Sequence, residues 1–231
     1  MTILYLLEVH STRMQETTTP SLAQNLDSIA GISKNLPGIQ KLNLLVPAEG
    51  GHDPFLKDEG PPVLVLQLQT EPVSSLNKIL ESTGFRHLLD TINDTSTSTV
   101  TLVQEAFTLD PYKSCESYEG HADISYLVNY QRPAEDEATF LKYYREHHPA
   151  ILLDFPGLRR LELGLPIDWT PAIDIERADR MLYCEVSFDS VEALNIALDS
   201  EVRAVLRKDY ECFPPFSGEV THFAMHRHTY L

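Results

Sequence analysis

Nine histidines occur in this sequence, and His147 stands where an imidazole could act as a base. Phe140, Tyr144, Ile151 and Phe155 fall within an arc of about 60° on a helical wheel, and His147 lies about 20° from Phe140. The ring thus points along the edge of an apolar helix face. A neutral imidazole with a partner can take a proton from a phenol or an acidic carbon near neutral pH. The competing reading is a core histidine giving one N–H to a backbone carbonyl near the helix end. His148, about 80° from Phe140, reads as a flanking or capping residue. Tyr126, Val128 and Tyr130 share one side of a strand. A phenolic hydroxyl in an apolar pocket can donate or orient, while a stripe of this kind can equally be plain core. The expected site therefore has His147 and Tyr126 as catalytic groups, with Tyr130, Phe140, Tyr144, Ile151 and His222 around the substrate.

Other chemistries find less support. His222, His226 and His228 share one face of a strand, but residues two apart are separated by about 6.8 Å and residues four apart by about twice that, too far for one ion to hold all three. No metal and no cofactor are expected, so the purified protein should be colourless. Cys115, Cys184 and Cys212 lack a C-x-x-C pair and read as structural thiols in a reducing, cytoplasmic setting. A net charge of −16 argues against nucleic acid and anionic membranes as partners. No stretch approaches the roughly 18 apolar residues of a membrane helix. Phosphate loops, dinucleotide fingerprints and nucleophile elbows are absent from the sequence.

The elements that must position these residues occur twice. Residues 35–47 resemble 154–166, residues 3–9 resemble 124–130, and residues 73–82 resemble 191–200, all at nearly constant offset. This predicts a tandem duplication, with units at 1–112 and 113–231. In the second unit the periodicities predict strands at 123–131, 158–164, 181–188 and 219–228, and helices at 135–155 and 190–209. The order βαββαβ is the split-βαβ, ferredoxin-like unit, whose second sheet face is left apolar and bare. The fold class expected is α+β, with two such units packed sheet to sheet inside one chain as a monomeric pseudo-dimer. The first unit's helix, at 20–34, offers Ser28 and Ile29 opposite His147 and His148. One pocket is therefore expected, in the second half, bounded by His147, Tyr126 and His222.

Phe140, Tyr144, Arg145, Glu146, His147 and Pro149, followed by Phe155-Pro156-Gly157-Leu158, resemble the signature of the EthD family, in which an aromatic helix delivers an H-x-P ahead of L-P-G-L. The resemblance covers residues 121–231 well and residues 1–112 only in framework. It implies a dimeric α+β barrel. It also implies a cofactor-free lyase or cyclase, of decarboxylase or dehydratase type, acting on a small aromatic or polyketide-derived molecule. Related barrels include cofactor-free monooxygenases and haem enzymes. A monooxygenase acting on phenols and a non-catalytic carrier of hydrophobic metabolites are the alternative expectations.

Overall fold

A computed structural model describes residues 1–11, 25–54, 60–96, 99–113 and 122–231. The first half contains β1 (Ile3–Ser11), α1 (Leu26–Ser33), β2 (Ile39–Pro47), β3 (Leu64–Thr70), α2 (Val73–Glu81), α3 (Thr83–Thr95) and β4 (Val100–Lys113). The second contains β5 (Ile124–Gln131), α4 (Glu137–Leu152), β6 (Arg160–Pro166), β7 (Glu176–Arg177), β8 (Arg180–Phe188), α5 (Val191–Leu198), α6 (Glu201–Tyr210) and β9 (Val220–Thr229). Residues before Asn25 in the expected first helix, and Cys115, lie outside the described residues. The helix expected over 190–209 is two helices: Ser200 takes an extended conformation, its hydroxyl bonding back to the Ala197 carbonyl, and α6 starts afresh at Glu201. Serine competes well for backbone groups in this way, which is why it breaks rather than continues a helix.

The strands form one closed ring. Their order is β1-β3-β2-β9-β5-β8-β6-β4, closed by the β1–β4 pairing, with short β7 attached parallel to β4. Each half supplies four antiparallel strands, and β2–β9 and β4–β6 stitch the halves together. This is the dimeric α+β barrel architecture within one chain. An eight-stranded ring has an interior just wide enough for side chains to fill.

Strand alternation divides the core three ways. Residues of one parity in the first half, such as Ile3, Tyr5, Leu7, Leu66 and Leu68, meet α1, α2 and α3. The matching set in the second half, including Tyr126, Tyr130, Cys184 and Val186, meets α4, α5 and α6. The opposite parity fills the ring, with Leu4, Leu6, Val65, Phe107, Leu127, Tyr183 and Met225 packed together. That inner face is not wholly apolar as expected. Gln67 donates to the Tyr183 hydroxyl at 3.0 Å and to Glu185 at 2.9 Å, and Arg160 pairs with Glu185 at 2.9 Å. Near the other end Arg180 reaches Glu8 at 2.6 Å. Burial would raise the Glu8 carboxyl, but Arg180 and His10 outweigh it and hold it at about 2.

Candidate active site

A cavity of about 200 Å³ opens between the helices and the outward face of β5, β8 and β9. The second half supplies almost all of its wall. An empty apolar space of about 150 Å³ takes up benzene, so this one suits a substituted aromatic ring. It is smaller than the roughly 300–1,000 Å³ of drug-sized sites. Among the described residues no group of three or more His, Cys, Asp or Glu is placed to hold a metal ion.

Helix α4 delivers the imidazole. Asp136 caps it, accepting from the Thr139 amide at 3.1 Å, and Phe140, Tyr144, His148 and Leu152 form its buried row at four-residue spacing. With Leu152 included, the centre of the apolar face shifts to about 60° from Phe140, which puts His148 near its middle and His147 about 80° off it. His147 is accordingly exposed, stacked on Tyr143 with ring centroids 4.2 Å apart, its Nδ1 2.9 Å from the Tyr143 carbonyl. It takes no part in the cavity. The imidazole expected in the cavity at His147 is therefore not there; its neighbour His148 is buried and lines the space.

His148 Nδ1 lies 2.7 Å from Asp209 Oδ2, at the end of α6, and Asp209 also accepts from the Tyr143 hydroxyl at 3.1 Å. Burial tends to raise the Asp209 carboxyl, but the hydrogen bonds from His148 and Tyr143 prevail and its pKa is lowered. An ionised carboxylate only accepts, so Nδ1 carries the proton and Nε2 the lone pair. Burial is the main cause that lowers the His148 pKa, against the pull of Asp209, and Arg203 and His222 lower it further. Both causes, burial and these neighbours, favour the neutral ring.

Tyr126 also lines the cavity, but its role differs from the donor expected. Its hydroxyl gives its hydrogen to Asp53 Oδ2 at 2.9 Å. Asp53 comes from the first half, on the connection between β2 and β3, and binds Arg203 of α6 through two bonds of 3.0 and 3.1 Å. Of the remaining expected residues, Tyr130 and Tyr144 line the space, and burial pushes both phenols far above their ordinary range. His222 lines it too, tilted against Tyr126 with ring centroids 5.9 Å apart. Phe140 and Ile151 do not reach it. Phe140 is fully buried against Tyr130, Phe213 and Phe216, and Ile151 packs against the edge of the same core. Cys184 lies in the wall with its thiol pushed up to about 12 by burial, which makes it a poor nucleophile.

Three groups escaped the sequence reading. Arg203 left a trace, since it shares a helix face with Leu206 and Tyr210, a charge at an apolar position. Asp209 and Asp53 left none, because their partners lie 61 and 150 residues away.

No protein-family model and no curated protein matches the sequence. Solved structures do. An anthrone oxidase-like protein aligns over 99% of this chain and 92% of its own, at 14% identity and a TM-score of 0.64. A candidate monooxygenase from Lactobacillus acidophilus aligns over 98% and 93%, at 10% identity and a TM-score of 0.55. An EthD family protein from Bacillus halodurans aligns over 43% of this chain and 96% of its own, at 23% identity and a TM-score of 0.35. The first two likenesses span the whole chain and agree with the ring traced above: this protein has the dimeric α+β barrel fold, both halves supplied by one polypeptide.

Proposed function

We propose that this chain is a small-molecule enzyme working by proton abstraction without a bound cofactor, a lyase or cyclase acting on a small aromatic or polyketide-derived compound. The observation that carries the reading is the buried His148–Asp209 pair on a ring-sized cavity. His148 Nε2 takes a proton from an acidic carbon or a phenol of the substrate. Asp209 holds the ring in the right tautomer and stabilises the imidazolium that forms. In a dehydration the electrons of the broken C–H bond form the new double bond. The β-hydroxyl then leaves, and the imidazolium returns the proton to it as water. Tyr130, Tyr144 and Leu152 exclude water from this exchange. The chain acts as a monomer because its two halves close the barrel between them.

A cofactor-free monooxygenase is the second reading. The structural neighbours named anthrone oxidase-like and monooxygenase favour it, and its first step is the same deprotonation. A panel of hydroxylated anthrones, naphthols and their uncyclised precursors, followed by mass spectrometry with an oxygen electrode, separates the two. Loss of water or ring closure that disappears in His148→Gln is the expected result. Oxygen uptake coupled to turnover would move the assignment to the monooxygenase. Ligand binding with no turnover, unchanged by His148→Gln, would leave a carrier protein.

A further inference from the structure

Among the described residues, Asp53 is the one acidic side chain of the first half in the cavity wall, and it is firmly placed. Ala48 donates its amide to the Ala224 carbonyl at 3.0 Å, the Asn195 side chain bridges the Gly50 carbonyl and the His52 amide at 2.9 Å each, and a Cβ on Gly51 would stand 2.8 Å from that of Ala224. The segment thus docks flat on α5 and β9, and carries Asp53 to Arg203. Both partners are buried, with side chains 6% and 12% exposed, and the pair is bidentate.

The charges around the cavity then nearly cancel. Asp53 neutralises Arg203, Asp209 stands behind His148, and Arg207 at the rim pairs with Glu211 at 3.4 Å and lies over the Tyr210 ring. A carboxylate entering here would meet only cations already paired, Arg203 with Asp53 and Arg207 with Glu211, and would have to compete with those partners for compensation, which is unfavourable in a low-dielectric site. A neutral hydroxyl meets the opposite situation. His148 Nε2 accepts, and the Tyr126 hydrogen is already committed to Asp53.

We propose that Asp53 is a specificity-determining residue, lent by the first half to the second half's site, that selects neutral, hydroxyl-bearing aromatic molecules over aromatic carboxylates. The inference rests on the proposed function for its setting and narrows it: dehydration or ring closure of a polyhydroxylated compound is favoured over loss of a substrate carboxylate.

Calorimetric titration with resorcinol and with benzoate tests this without any turnover, so that its outcome is independent of whether the reaction class is right. The wild-type protein is expected to bind resorcinol about tenfold or more tightly than benzoate. Asp53→Asn releases the Arg203 charge and should reverse that preference. Arg203→Gln leaves Asp53 uncompensated and should widen it, through further loss of benzoate. Opposite shifts from the two members of one ion pair are not what a merely structural role would give, and either variant alone suffices should the other fail to fold. Benzoate binding as tight as resorcinol in the wild type, no binding of either, or equal losses of both ligands in a folded variant would overturn the proposal.

Discussion

Tyr5 on β1 and Tyr126 on β5 occupy the same place in their halves, facing the helices, yet one sits in solid core and the other on a cavity. Over Tyr5 the connection from the second half inserts Trp169, with ring centroids 6.1 Å apart, and Phe85 closes in at 6.0 Å. Over Tyr126 the connection from the first half inserts Asp53. Phe85 is the third residue of α3 and Arg203 the third of α6, so an apolar ring and a guanidinium hold corresponding positions. Ile29, fully buried on α1, stands where His148 stands on α4. Among the described residues, Trp169 and Phe85 fill this place in the first half, while the second half leaves a cavity with polar walls. At these positions the difference lies in the side chains, as expected of a fold whose function resides in sites grafted on it.

Removing the base should break this contrast most severely. His148→Gln keeps a donor for Asp209 but cannot take a proton, and turnover should fall by about 10²–10⁴ with the fold retained, as measured by kcat on the converted substrate and by circular dichroism. Emptying the filled half comes next. Trp169→Ala should cost about 3–5 kcal/mol in urea denaturation and open a cavity beside Tyr5 that takes up xenon or benzene, while the second half's site keeps its activity. Retained stability there would mean that the indole is not what fills the first half.

A pH titration sharpens the contrast further. Burial lowers the His148 pKa below its ordinary 6.5, so between the folded and unfolded values the unfolded chain binds more protons. Stability from this residue is therefore complete above about pH 6.5 and lost as pH falls below it. Activity requiring the neutral ring should show its acid limb in the same region. His148→Gln should abolish that part of the stability loss. The smallest effect is expected one residue away: His147→Gln, at an exposed position, should change stability by no more than about 0.5 kcal/mol and leave turnover unaltered. A large loss of activity in His147→Gln, with His148→Gln active, would return the site to the other face of the helix.

Much of this architecture is legible in the residues. The apolar, β-branched and aromatic run at 123–131 marks a buried strand, its likeness to residues 3–9 marks the matching strand of the first half, and the row Phe140, Tyr144 marks the helix that carries the imidazole. The asymmetry between the halves is also legible, because the first half has no histidine on its matching helix. Both are local signals. A period of two or of 3.6 is set by the backbone and shows within a few turns of chain.

The choice between His147 and His148 was beyond that reach. Adjacent residues differ by about 100° on a helix, and the rotation of the helix depends on what packs against it. Here Phe213, after α6, meets both Tyr144 and His148, at 5.5 and 5.1 Å, and Leu152 buries against the same core. The pairing of Asp53 with Arg203 and the seating of Trp169 over Tyr5 lie further still from the sequence. Each joins a connection of one half to the core of the other, and closure of the ring alone brings those segments together. Local periodicity therefore determined the elements, while the tertiary structure decided which imidazole faces the cavity and which charges surround it, since side-chain partners that distant in the chain meet only once the barrel has closed.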